Sequence, residues 1–210
     1  GKSESCTGDS ARRAGREDIF FGLASQNVEV LNEVAPKRIV TTCPHCLHTI
    51  KNEYPAFGGN YQIIHHTQLI NELVGAGKIQ LQVTSDELRV TFHDPCYLGR
   101  HNKEMDAPRD TLKSAGALTI EMPRNGAKSF CCGAGGAQMW KEEENGTARV
   151  NEVRFAEAKS TLLNAGSSAG ADTVAVGCPF CLTMMSDASK ADGGNIQVKD
   201  VAEIVAERIK

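Results

Sequence analysis

Eight cysteines carry most of the chemical information in this chain of 210 residues. They stand at Cys6, Cys43, Cys46, Cys96, Cys131, Cys132, Cys178 and Cys181, grouped as two CxxC pairs and one adjacent pair. That density is far below the roughly 8–10% that marks a small disulfide scaffold. With no export signal in view, the expected compartment is reducing and cytoplasmic. Thiolate ligation of a soft metal is then the leading reading.

A four-iron cluster needs thiolates that converge from several loops, with backbone N–H groups directed at the sulfurs. Cys96, Cys131, Cys132, Cys178 and Cys181 supply five, one more than tetrahedral zinc or an ordinary cubane cluster requires. The glycines of CCGAGG, residues 131–136, let the backbone approach an inorganic core without a side-chain clash. They are not a nucleotide fingerprint, because Gln138 stands where the third glycine of GxGxxG belongs and no Walker lysine follows. Structural zinc, or buried thiols alone, is the competing reading; it leaves the fifth cysteine and the repeat described next unexplained.

The segment IVTTCPHCLHTI around Cys43 and Cys46 matches VAVGCPFCLTMM around Cys178 and Cys181 in residue class and order, which points to a duplication. Cys6 then corresponds to Cys131, Thr7 to Cys132 and Gly8 to Gly133. Cys6 and Cys43 are 37 positions apart and Cys131 and Cys178 are 47 apart, so the second copy carries an insertion, placed in the polar stretch 141–147. Cys96, 35 positions before Cys131, has no counterpart, since its equivalent falls before Gly1. The expected organisation is a first unit truncated at its start, residues 1–82, and a complete second unit, residues 83–210, meeting near residues 77–87. The first residues, Gly-Lys-Ser-Glu-Ser-Cys, lack an initiator Met, and the expectation is a piece of a longer protein.

The elements that position these cysteines are legible in outline. Short β-branched runs at 38–42 and 173–177 end at a CxxC and lead into helical residues, giving strand, ligand turn, helix. Pro44 and Pro179 suit a first helical turn because no needed N–H is lost there. Further strands are expected at 61–65, 89–93, 118–122 and 195–198, and helices at 67–74, 107–115, 149–164 and 201–209. Asp200 is the expected N-cap of the last helix, and Gly75 and Gly116 are expected helix stops. This alternation predicts an α/β fold: two Rossmann-like units in tandem with mainly parallel sheets. In such sheets ligands gather beyond the carboxyl ends of the strands, where helix N-termini stabilise thiolates.

His45 and His48 beside the first CxxC can complete a zinc site or act as surface or supporting histidines. His65 and His66 are expected to pack, while His93, Asp94, Arg100 and His101 flank Cys96 and can donate hydrogen bonds to sulfur or handle protons. Met139 and Trp140 are expected in the core, and the charge run KEEEN on a solvated face. Hydrophobic residues make up 40% and charged residues 23%, with a net charge of −3, an ordinary globular balance that argues against a nucleic-acid partner. No apolar run approaches the roughly 18 residues of a membrane span.

The order C, CCG, CPxC, with HDPC around Cys96, resembles the cysteine-rich CCG domain of heterodisulfide reductase and its relatives among the iron-sulfur oxidoreductases. The strings HDPCYLGRHN, FCCGAGGAQMW and TTCPHC more narrowly resemble membrane-bound actinobacterial oxidoreductases that pass electrons from electron transfer flavoprotein to menaquinone. The resemblance implies a four-iron four-sulfur cluster, noncubane in heterodisulfide reductase, on Cys96, Cys131, Cys132, Cys178 and Cys181. For the first unit it leaves Cys6, Cys43 and Cys46 wanting a fourth ligand, with a second cluster or zinc as the alternatives. It implies an electron-donating flavoprotein or ferredoxin-like domain, a quinone acceptor, and preceding membrane and ferredoxin-like domains that set the whole protein at the cytoplasmic face of the membrane. Three readings stay open: an electron-transfer segment of a respiratory oxidoreductase, an enzyme reducing a disulfide at its cluster, and a zinc-stabilised structural module.

Overall fold

The computed structural model describes residues 3–83, 88–142, 146–166 and 172–210. The first part of the chain runs α1 (Asp9–Arg13), α2 (Glu17–Val34), β1 (Ile39–Thr41), α3 (Pro44–His48), β2 (Ile63–His65) and α4 (His66–Gly75). The second runs β3 (Leu88–His93), α5 (Asp106–Ser114), β4 (Ala117–Thr119), α6 (Val150–Asn164), β5 (Thr173–Val176), α7 (Pro179–Ala191), β6 (Gln197–Asp200) and α8 (Val201–Ala206).

β3 to β6 form a four-stranded, wholly parallel sheet in the order β4-β3-β5-β6, and β1 and β2 form a two-stranded parallel sheet. The central strands β3 and β5 are largely buried and carry Val and Thr because both faces of the sheet are covered. Val174 and Val176 of β5 meet Phe155, Ala158 and Leu162 of α6 and Met185 of α7 on one face. Ala175, one residue out of phase, meets Leu112 of α5 and Val201 and Ile204 of α8 on the other. The result is an α/β fold of doubly wound type, with the tandem arrangement visible in the correspondence of the parallel pair β1-β2 to the parallel pair β5-β6.

The repeat also organises the contact between the two halves. β2 and β6 each end at the N-cap of a helix closed by a capping box, His65 with Gln68 and Asp200 with Glu203. These equivalent corners touch: His66 Nε2 bonds Asp200 Oδ1 at 3.0 Å. His65, fully buried, bonds the Gly177 carbonyl at 3.1 Å through Nε2. Packing is therefore the role of both histidines, as expected.

Several boundaries depart from the sequence expectation. The strand expected at 118–122 spans Ala117–Thr119; Ile120 still donates to Val90, but Pro123 cannot continue a ladder, and Met122 turns into the core. The strand expected at 195–198 starts at Gln197, because Gly193 and Gly194, both at positive φ, spend the preceding residues on the turn. The last helix ends at Ala206 rather than 209, and Ile209 instead bridges antiparallel to Leu81. Gly75 is the last helical residue of α4, and the left-handed position falls to Gly77. Helix α2 was not among the expected elements, although Phe20, Ala24, Val28 and Leu31 recur at helical spacing and form its buried face. Of the expected boundary at 77–87, residues 84–87 lie outside the described residues. No described helix is long and apolar enough to cross a membrane.

Candidate metal centre

In the larger sheet the chain leaves β3 for β4 on one side and leaves β5 for β6 on the other. The crevice between β3 and β5 is the topological switch point, where α/β sheets bind ligands. Cys96 follows β3, and Cys178 is the N-cap of α7 directly after β5, with Pro179 in the first helical turn. Cys131 and Cys132 arrive on the loop between β4 and α6. In the smaller sheet Cys43 is likewise the N-cap of α3, followed by Pro44.

Seven sulfurs form one continuous series. Cys96 and Cys132 both hydrogen-bond Cys131. Cys181 reaches Cys132 at 3.4 Å and also contacts Cys178. Cys178 then meets Cys43, and Cys43 meets Cys46, so the series crosses from one half of the chain to the other. Cys132, Cys178 and Cys181 are buried, Cys43, Cys46, Cys96 and Cys131 half-buried, and Cys6 exposed. Two members are shifted down in pKa. Hydrogen bonds from Cys132 and Cys96, with the Gly133 N–H, hold Cys131 well below the usual thiol range. Those from Cys181 and Cys43 lower Cys178. The donors move the other way, Cys43 being pushed up to about 12 by its bond to Cys178.

The proposed residue equivalences hold atom by atom. Gly133 N donates to Cys131 Sγ at 3.2 Å and Gly8 N to Cys6 Sγ at 3.5 Å, with φ of 91° and 87°. Thr7 Oγ1 donates to Cys46 Sγ at 3.4 Å, the distance at which Cys181 meets Cys132, so the threonine hydroxyl stands where the second half has a thiol. A Cβ at Gly133 would lie 3.2 Å from Val150 Cβ in a backbone region that L-residues avoid. Gly133→Ala is therefore expected to cost about 2 kcal/mol. Gly22→Ala, inside α2 with nothing within 4 Å, is expected to gain about 0.5–1 kcal/mol. Chemical unfolding of the two variants checks both signs.

The residues around the sulfurs are largely committed. His45 is buried, donates from Nδ1 to Asp9 Oδ2 at 2.8 Å and stacks on Tyr97 with ring centroids 4.0 Å apart. Its repeat equivalent, Phe180, meets it edge-on at 5.1 Å. His48 and His101 pack against Tyr97 and each other, and Arg13 caps the Tyr97 face while pairing with Asp9 and Glu53. Among the residues flanking Cys96, Asp94 is held by Arg109, and Arg100 binds the Ala127 and Ser129 carbonyls. His93 alone of the four joins the sulfurs, one ring nitrogen lying within 4.8 Å of the Cys132 and Cys181 sulfurs. Burial, then the neighbouring Arg154, push its pKa down to about 3 and keep the ring neutral. Met139 packs against the core as expected, whereas Trp140 is 67% exposed. Ala137 at φ 62° starts a tight turn that carries the indole outward, where Nε1 donates to Ser10 Oγ at 3.4 Å. Lys141 and Glu142 are solvated, while residues 143–145 of the charge run lie outside the described residues.

This donor set fits an iron-sulfur cluster: soft ligands in excess of four, two with their pKa lowered, a glycine N–H on sulfur and a helix N-terminus at Cys178. Sequence reading missed Arg154, Tyr97 and Asp9. Arg154 left a signal, since it shares the helical face of Ala158 and Leu162 and so had to be buried.

Comparison with known proteins agrees with this geometry. Over 207 residues the chain is 40% identical to the EtfAB:quinone oxidoreductase of Syntrophomonas wolfei, covering 98% of this chain and 29% of that protein. It is 38% identical over 212 residues to a probable membrane-anchored ferredoxin of Chromohalobacter salexigens, covering 98% of this chain and 30% of that protein. It is 33% identical over 216 residues to one polypeptide of the dihydromethanophenazine:CoB–CoM heterodisulfide reductase of Methanosarcina barkeri, covering all of this chain and 50% of that one. The chain thus spans no more than half the length of these relatives. The CCG family, described as a cysteine-rich domain, matches residues 2–51 and 90–186, and the chain belongs to it.

Proposed function

We propose that this chain is the iron-sulfur segment of a respiratory oxidoreductase, receiving electrons from a flavoprotein or a ferredoxin-like domain and passing them towards menaquinone. The observation that carries this reading is the sulfur series at the switch point, ending against the other half of the chain at Cys43 and Cys46. In it Cys96, Cys131, Cys132, Cys178 and Cys181 hold a four-iron cluster, and residues 83–210 form the complete unit. Residues 1–82 form the partial unit, in which Cys6, Cys43 and Cys46 hold a second cluster or zinc. Such a cluster supplies one-electron transfer. The chain's own residues fix the sulfurs, exclude water and set the local field. Cys178 at the start of α7 benefits from the helix dipole, and Gly133 directs its N–H at Cys131. The quinone oxidoreductase and membrane-anchored ferredoxin relatives support placing the whole protein at the cytoplasmic face of the membrane, with further domains supplying the donor and the membrane contact.

The test is the iron, acid-labile sulfide and zinc content of protein purified without oxygen, with EPR spectra before and after reduction. About four irons and four sulfides per chain, with a signal that changes on reduction, is the expected result, and about eight extends it to the partial unit. Stoichiometric zinc that persists after anaerobic reconstitution with iron and sulfide overturns the redox reading in favour of a structural module.

A further inference from the structure

Arg154 is the largest fully buried side chain in the described structure, and it stands beside the sulfurs. Its Nε donates to His93 Nδ1 at 3.0 Å and its Nη1 to the Arg124 carbonyl at 2.9 Å and Glu157 Oε2 at 3.0 Å. Its Nη2 is buried without a partner among the described residues. A buried guanidinium left partly unsatisfied is costly, and an apolar side chain of similar volume generally packs there at less expense. Stability therefore does not explain the arginine. What it does to His93 does. A guanidinium in a protein is always a donor, so His93 Nδ1 must be the acceptor and the ring proton must sit on Nε2. A histidine in that tautomer has no free lone pair: Nδ1 is engaged by Arg154 and Nε2 carries hydrogen. One of its nitrogens lies within 4.8 Å of the Cys132 and Cys181 sulfurs, and in this tautomer the ring has an N–H and no free lone pair to offer them.

We propose that Arg154 is a positioning residue that acts through His93, locking the imidazole as an N–H donor to the thiolates of Cys132 and Cys181, which keeps His93 out of the ligand set and favours the reduced state of the centre. This rests on the cluster reading above. Reduction adds negative charge to the sulfurs, so an N–H donor there, held in place by Arg154, stabilises the reduced form more than the oxidised one.

The test uses the full-length protein carrying its cluster. His93→Phe is expected to retain its iron, because no ligand is lost, while the reduced-to-oxidised ratio at a fixed potential falls about tenfold, the worth of one hydrogen bond to a charged sulfur. That is a midpoint about 59 mV lower for a one-electron couple. Arg154→Met is expected to shift the midpoint the same way, and to add little in the His93→Phe background, because it acts through that ring. Iron loss in His93→Phe, unshifted midpoints, or additive effects in the double variant overturn the proposal. Should either variant fail to fold, the wild type still decides: spin-echo spectroscopy of protein with nitrogen-15 histidine is expected to show weak coupling of a hydrogen-bonded ring. The strong coupling of a coordinated nitrogen overturns it. Absence of any cluster signal in the wild type overturns the cluster reading and this proposal with it, whereas a normal wild-type signal with unshifted variants overturns this proposal and leaves the cluster reading standing.

Discussion

Cys132→Ser is expected to destroy or transform the cluster spectrum and lower iron retention by about 10- to 100-fold, an effect at least as large as loss of an outer partner of a metal site. Cys132 is buried and central, donating to Cys131 and accepting from Cys181 at 3.4 Å. A serine oxygen in its place is a hard, weakly acidic ligand on a shorter arm, and it leaves Cys131 without one of the two thiol donors that lower its pKa. Thr7 occupies the equivalent position in the other half and donates to Cys46 at 3.4 Å. Thr7→Ala deletes a single half-buried hydrogen bond worth about 1 kcal/mol and is expected to leave the cluster signal unchanged. Iron analysis and EPR of the two variants make the comparison. If both lose the signal to the same degree, the assignment of a complete and a partial unit is wrong.

The contrast between these two positions also shows how much of the site the sequence carried. The pairing of Thr7 with Cys132 follows from matching two short strings, and the structure realises it at the level of single hydrogen bonds. Local signals account for this: a CxxC after a β-branched run, with proline next, specifies its own turn wherever it is packed. What the strings did not carry is the meeting of the two halves. Cys43 against Cys178, and His45 against Phe180, are contacts between equivalent positions of the repeat, set by how the halves dock rather than by either motif. Read as separate ligand sets, the cysteines of the two halves turn out to form one series. Strand edges failed for a similar reason. Residues 118–122 have strand character throughout, but the ladder ends where Pro123 and the buried Met122 pull the chain towards α6. Trp140 failed because composition favours burying an indole, while the backbone at Ala137 decides its direction.

The same loop that carries Cys131 depends on Asp94, and Asp94→Ala is expected to cost about 3 kcal/mol of stability, the range for removing one partner of a buried ion pair. Asp94 is 2% exposed, two residues before Cys96. It accepts from both terminal nitrogens of Arg109, at 2.7 and 2.9 Å, and from the Gly126 N–H at 2.8 Å. Its carbonyl accepts from Ser129 Oγ at 2.7 Å. One carboxylate thereby ties the end of β3 to helix α5 and to the segment that leads into Cys131. Without it the Gly126 amide loses its acceptor, and Arg109 keeps only Glu121 and the Met105 carbonyl. Glu121→Ala removes the other anion on the same arginine, but that carboxylate is 39% exposed, and the expected loss is about 0.5 kcal/mol. Urea unfolding of the two variants orders them. Because Asp94 also fixes the segments bearing Cys96 and Cys131 relative to each other, iron retention is expected to fall in Asp94→Ala and to stay near wild type in Glu121→Ala. Equal losses in both would mean that the surface anion, and not the buried one, holds Arg109, and that the approach of Cys96 to Cys131 is set elsewhere.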